Sequence, residues 1–251
     1  MGTAIVAQNS IAIDGGMRKF VPPVIRGLQA VHFLSGSISR AIRNYAKGKP
    51  DARVIGAPVE APGYMTFKGL TNFIETQVAD ANTQTIFRVV RNNDTLVDFD
   101  HCPVFDGTYS SGSNLGTMLY GNTSGNINQT SARFLDATHT TISTSGVTLV
   151  SGTDIDKPTF SLIVTVISET LTVVRNETKG TVKVGAVNLF GRRPSAMPFR
   201  IGSAYEGNSL YKGVCDMSFW QHHDVELTAS EIALTVDRIR GLMLKLHGIK
   251  V

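Results

Sequence analysis

Short runs in which apolar and polar residues alternate, each closed by a turn signal, fill the middle of this chain and limit what it can fold into. The clearest is Gln84–Arg91, where Ile86, Arg88 and Val90 fall on one face and Phe87, Val89 and Arg91 on the other. Both faces carry apolar weight, as a strand does when it is covered on each side. Similar runs occur at Met65–Lys68, Asn72–Val78, Arg133–Thr138, Gly146–Val150, Thr159–Ile167, Leu171–Arg175 and Thr181–Val184. A further pair, Phe199–Ser203 and Tyr211–Gln221, follows near the end, and in the first of these Arg200 alternates with Phe199 and Ile201. No alternation of strand and helix accompanies them, so a parallel sheet is excluded and an antiparallel two-sheet β-sandwich of jelly-roll type is expected.

Helical signals are confined to the two flanks. Ser37 precedes a short stretch to Lys47 with Ile38–Ile42 and Ala41–Tyr45 at helical spacing, which suits a short helix. Thr228 to His247 is the stronger case. Thr228 and Glu231 have the spacing of a capping box, and Ile232, Val236, Ile239, Met243 and Leu246 form one amphipathic stripe. That stripe calls for a cover, either a sheet of this chain or another copy, and the sheet is the better choice. Upstream of Pro22 and Pro23, Ile5, Val6, Ile11 and Ile13 lie in a segment too short to bury its own core. Residues 1–23 read as an N-terminal docking arm, and residues 24–251 as the sandwich with its C-terminal helix 228–247.

Composition narrows function mainly by exclusion. A hydrophobic content of 42% with 18% charged residues supports a packed core. The net charge of +4 is too small to imply nucleic-acid binding. Within residues 1–53, however, eight Lys and Arg stand against two Asp, a basic head that suits an acidic partner. Two cysteines, Cys102 and Cys215, make neither a metal cluster nor a disulfide framework, and Cys215 reads as a small buried hydrophobe. No secretory leader and no membrane-spanning run is visible.

Signatures of chemistry are sparse. A Gly-x-Ser-x-Gly elbow and a phosphate-cradling glycine loop are both absent. Asp98 and Asp100 beside His101 have types able to hold a cation or move a proton, although a solvated strand end explains them better. His222 and His223, adjacent on a strand, point to opposite faces and cannot easily share an ion. No cofactor is expected. For binding, the polar loops offer Tyr109, Asn114, Tyr120, Asn122 and Asn126, and a second group holds Tyr205, Asn208 and Tyr211. Aromatic rings with amide side chains are what a sugar's C–H face and hydroxyls require.

The order Ile201-Gly202-Ser203, a loop of small residues, Tyr211-Lys212-Gly213, Phe219, then Leu227-Thr228 with Glu231-Ile232 resembles the C-terminal signature of concanavalin A-like lectin/glucanase domains of the LamG type. Weaker matches at Tyr64–Thr76 and Thr159–Val174 extend the resemblance over roughly residues 54–235. It looks most like versions carried on bacteriophage virion proteins of the tail-fibre or tail-spike kind. The resemblance implies a concanavalin A-like sandwich and a non-enzymatic virion protein, a tail-fibre, spike or tail-tip subunit that binds host-surface glycan. A capsid decoration or collar subunit without ligand is the alternative. A glycan-degrading enzyme is disfavoured, since the Glu-x-Asp-x-x-Glu strand of the retaining glucanases is missing. Other implied features are attachment to virion proteins through the arm, bacterial surface polysaccharide as ligand, a homo-oligomer with a trimer favoured, assembly in the host bacterial cytoplasm, and no membrane insertion.

Overall fold

The strand over Gln84–Asn92 shows the whole arrangement in miniature: Ile86 and Val90 join one buried cluster, Phe87 and Val89 another. The computed structural model describes residues 20–110, 115–205 and 210–251. In chain order its strands are β1 (Leu28–Phe33), β2 (Arg53–Ile55), β3 (Val59–Ala61), β4 (Tyr64–Lys68), β5 (Phe73–Ala79), β6 (Gln84–Asn92), β7 (Val104–Gly107) and β8 (Thr117–Gly121). They continue as β9 (Ile127–Phe134), β10 (Ile142–Leu149), β11 (Ser161–Ile167), β12 (Thr172–Asn176), β13 (Thr181–Val184), β14 (Pro198–Ile201) and β15 (Val214–His223). Among the described residues there are two α-helices, the single turn α1 (Ile38–Ala41) and α2 (Ala229–His247).

The strands form two antiparallel sheets. One has eight strands in the order β13-β12-β11-β6-β15-β4-β3, with β1 pairing beyond β4 along the same edge of β15. The other has seven, β10-β9-β8-β7-β14-β5-β2. The expected all-β sandwich of jelly-roll type is what the chain adopts. Between the sheets lies an apolar cluster that includes Phe67, Ile74, Phe105, Leu119, Phe199 and Trp220. Trp220 and Met217 both face inward although three residues apart. A register shift between Met217 and Phe219 on β15 makes this arrangement compatible with the pleat.

A third layer covers the outside of the eight-stranded sheet. Ile232, Val236, Ile239, Leu242 and Met243 of α2 pack on Phe33, Phe87, Val89, Leu162 and Phe219. The amphipathic stripe therefore covers a sheet of its own chain, as its sequence favoured. Burying each such side chain contributes about 1.5–3 kcal/mol. The capping box is complete, with Glu231 N–H donating to the Thr228 hydroxyl and Thr228 N–H donating to the Glu231 carboxylate at 2.8 Å. Gly248 closes the helix in the left-handed region.

Several expectations need correction. The strand read at Arg133–Thr138 ends at Phe134, because Asp136 draws the amides of Thr138, Thr140 and Thr141 into a turn. The helix read over Ser37–Lys47 is a single turn, capped by Ser37 as expected but released at Ile42. Tyr211 stands before the last strand, which opens at Val214. Phe20, assigned to the arm, is buried in this chain's own helix-side layer, while residues 1–19 lie outside the described residues.

Candidate functional site

α2 packs on the eight-stranded sheet, and among the described residues no α-helix covers the outer face of the seven-stranded sheet. Alternation decides what that face displays. Phe199 and Ile201 of β14 point into the core, so Arg200 points out, and Ile74 and Val78 do the same for Phe73, Glu75 and Gln77 of β5. On β8, Leu119 faces the core and Met118 and Tyr120 face outward.

Three tyrosines gather on this face. Val104, Met118 and Ala204 make a buried base on which Tyr109, Tyr120 and Tyr211 are packed. With Thr130, Thr144 and Leu210 they line a shallow cleft of about 240 Å³. The Tyr120 and Tyr211 rings meet edge to face at 5.1 Å, and Phe99 meets Tyr211 at 5.5 Å. Tyr211 reaches this position at φ 61°, in the left-handed region where a bulky residue is strained. Its segment is pinned by Gly213, where a Cβ would come within 2.5 Å of the Cys102–Pro103 backbone.

Beside the tyrosines lies a charged cluster. The Arg200 guanidinium carbon stands 3.6 Å from the Tyr205 ring centroid and 4.7 Å from that of Phe73. Arg200 Nε donates to Glu75 Oε2 at 3.0 Å, and Arg53 Nε donates to Glu75 Oε1 at 2.9 Å. The Tyr205 hydroxyl donates to the Pro198 carbonyl at 2.9 Å and lies 3.4 Å from Glu75 Oε2. A second depression, about 500 Å³, runs past Arg53, Glu75, Gln77 and Pro198. Burial by itself would raise the Glu75 carboxyl, but the hydrogen bonds from Arg53 and Arg200 outweigh it and hold it below the ordinary value. Burial pushes the Tyr205 phenol up to about 12. At neutral pH Glu75 is therefore a paired carboxylate and Tyr205 a neutral hydroxyl, which suits hydrogen bonding better than proton transfer.

The structure joins two groups that the sequence kept apart. Tyr205 N–H donates to the Tyr109 carbonyl at 2.9 Å, so Tyr109, Tyr120, Tyr205 and Tyr211 belong to one surface. Asn122 sits in the β8–β9 turn with its side-chain oxygen accepting from Ser124 and Asn126 amides, a loop-closing role. Asn114 and Asn208 lie outside the described residues. Arg53, Glu75 and Arg200 were not selected from sequence as site residues, although the alternation at Phe199–Ile201 already placed Arg200 on the outward face.

The other chemistry-bearing residues fall elsewhere. Asp98 caps the turn Phe99–His101 and pairs with His101 at 2.6 Å, while Asp100 pairs with Lys212. His222 turns inward to Gln84 and His223 outward to the Arg26 carbonyl, on opposite faces as their adjacency required. Among the described residues no three His, Cys, Asp or Glu side chains converge as a metal site would need. Among the described residues no helix is long and apolar enough to cross a membrane.

Neither a family model nor a curated protein sequence matches the chain. Solved structures do match in shape. The binding domain of botulinum neurotoxin DC in complex with SialylT aligns at TM-score 0.60 and 9% identity, over 86% of this chain and 52% of that one. Trypanosoma rangeli sialidase in complex with 2,3-difluorosialic acid aligns at TM-score 0.58 and 17% identity, over 85% of this chain and 33% of that one. A botulinum neurotoxin type C structure, whose cell entry depends on two ganglioside molecules, aligns at 0.57 and 8%. The fold is an antiparallel two-sheet β-sandwich. It spans about a third of the sialidase and half of the toxin domains, and at these identities the likeness concerns the fold alone.

Proposed function

We propose that the chain is a non-enzymatic glycan-binding module whose ligand lies on the open face of the seven-stranded sheet. The observation that carries this reading is the cleft of Tyr109, Tyr120 and Tyr211 beside the Arg53–Glu75–Arg200–Tyr205 cluster. Ring faces and edges there suit a sugar's C–H surface, and the charged groups suit its hydroxyls. Tyr211's strained backbone favours the same surface, since such strain gathers at ligand sites. The toxin binding domains of like fold, described with SialylT and with gangliosides, lend support to sugar recognition. The protonation states of Glu75 and Tyr205 weigh against hydrolysis at this face.

The resemblance of the Ile201–Ile232 stretch to LamG-type domains on phage virion proteins supports a finer reading: a tail-fibre, spike or tail-tip subunit carrying bacterial surface polysaccharide recognition. The test is saturable binding of labelled protein to bacterial cells, competed by their purified surface polysaccharide. Tyr120→Ala should reduce it at least tenfold while circular dichroism shows the β-sandwich still folded at the assay temperature. Folded protein that binds no cell or polysaccharide, or a Tyr120→Ala protein that binds as well as the parent, would contradict this reading and favour a purely structural capsid decoration or collar subunit.

A further inference from the structure

Where β9 ends, two arginines lie side by side inside the sandwich. Arg133 and Arg192 face each other across an antiparallel bridge. The flanking bonds, Arg193 N–H to the Ala132 carbonyl and Phe134 N–H to the Gly191 carbonyl, make this a non-hydrogen-bonded pair. In such a pair the side chains leave one face from Cα atoms about 4.5 Å apart. Here that face is the inner one, since both residues are buried and Arg133 reaches Thr172 of the eight-stranded sheet. Like charges directly opposite each other repel, and burial leaves little water to screen them.

One of the two lacks a counter-ion. Arg192 gives Nη2 to both oxygens of Asp80, at 3.0 and 2.9 Å, and Nη1 to the Ala81 carbonyl. Arg133 donates to the Glu169 carbonyl at 2.6 Å, the Thr172 hydroxyl at 2.9 Å and the Ser168 carbonyl at 3.3 Å, none of them a carboxylate. Asp106 is already taken by Arg88 and Trp220. Among the described residues, then, the fully buried guanidiniums of Arg88, Arg133 and Arg192 have Asp80 and Asp106 as their carboxylate partners, and one positive charge is left over. Burial and Arg192 bring the Arg133 pKa down to about 10, so the charge persists at neutral pH. Three donors at this end also find no acceptor: Arg133 Nε, Arg192 Nε and Gln84 Nε2. Gln84 lies between the two turns that the arginines clamp. It opens β6 just after Asp80 and Ala81, and it pairs with Ile167, which precedes Ser168. Its side chain shares the inward face of Ile86 and Val90, and its Oε1 lies 2.9 Å from His222 Nε2. An N–H buried without a partner is costly, and more so on a charged group.

We propose that this end of the sandwich binds a small inorganic anion of chloride size, which accepts from the Nε–H groups of Arg133 and Arg192 and from the Gln84 amide. The anion supplies the missing negative charge and gives each of the three donors a partner. Water would accept the same hydrogen bonds but leave the charge unbalanced, so the charge selects an anion. The site lies between the sheets, whereas the sugar surface is an outer face, and neither reading depends on the other. Its role is to hold the β5–β6 and β11–β12 turns against the end of β9.

The test uses the full chain dialysed into sodium gluconate, whose anion is too large to enter. Replacing gluconate by chloride or bromide at constant ionic strength should raise the melting temperature saturably, by about 3 °C or more. Arg133→Met removes the unbalanced charge with one donor, and its melting temperature should be indifferent to chloride. Gln84→Leu keeps both arginines and should raise the half-saturating chloride concentration at least tenfold, which preserves the test if Arg133→Met fails to fold. Crystals of the parent grown in bromide should show an anomalous peak within hydrogen-bond distance of the Arg133 and Arg192 Nε atoms. A parent whose melting temperature ignores chloride, a chloride response that the folded variants keep unchanged, or an anomalous map with no bromide at the two Nε atoms and water there instead would overturn the proposal.

Discussion

Tyr211 holds its ring on the open face at a backbone cost of about 1–3 kcal/mol, the usual range for a bulky residue in the left-handed region. The side chain, through its edge-to-face contacts with Phe99 and Tyr120, keeps this conformation occupied. Tyr211→Ala should therefore lower glycan affinity by more than the loss of one ring, because the segment is then free to relax; isothermal titration of Tyr211→Ala against Tyr120→Ala measures the difference. A second pivotal residue lies in the core. Asp106 accepts from Arg88 Nε at 2.7 Å and from the Trp220 indole at 2.6 Å, with both ionic side chains fully buried. Asp106→Asn leaves the Arg88 charge without its counter-ion and should cost about 3–5 kcal/mol in urea denaturation. A loss below 1 kcal/mol would mean that the pair does little to hold the sheets together.

At the scale of elements, α2 begins with an electrostatic clamp. Arg26 pairs with Glu231, whose carboxylate also accepts from the Thr228 amide, and together these lower the Glu231 pKa from 4.5 to about 2. A depressed carboxyl stabilises the fold above its unfolded value and loses that contribution as pH falls. The melting-temperature gap between the parent and Glu231→Gln should thus be full above about pH 4.5 and close toward pH 2. A gap independent of pH over that range would show that the carboxylate charge is immaterial. Elements were also where the sequence spoke most clearly. The capping box and the two apolar faces of β6 follow from local spacing alone, and both are present. The shift that turns Met217 and Trp220 to the same side leaves no mark in composition, and the end of β9 depends on which amides Asp136 captures. The union of Tyr109 with Tyr205 is a contact 96 positions apart in sequence, beyond the reach of any local pattern. Arg200 was readable from its alternation with Phe199 and Ile201, but its meeting with Arg53 and Glu75 depends on β14 and β2 both pairing with β5.

Across the whole molecule, the two sheets differ in what covers them. One sheet is sealed by α2; the other is open, and its aromatic and charged side chains lie on either side of Ala204. The most direct test of the account is a titration of the isotope-labelled full chain with fragments of a polysaccharide that the protein binds on cells, followed by backbone amide shifts. The account predicts saturable shifts confined to the strands of the seven-stranded sheet and the segments around Tyr109, Tyr205 and Tyr211. Shifts centred on α2 or β1, or none at saturating fragment, would contradict it.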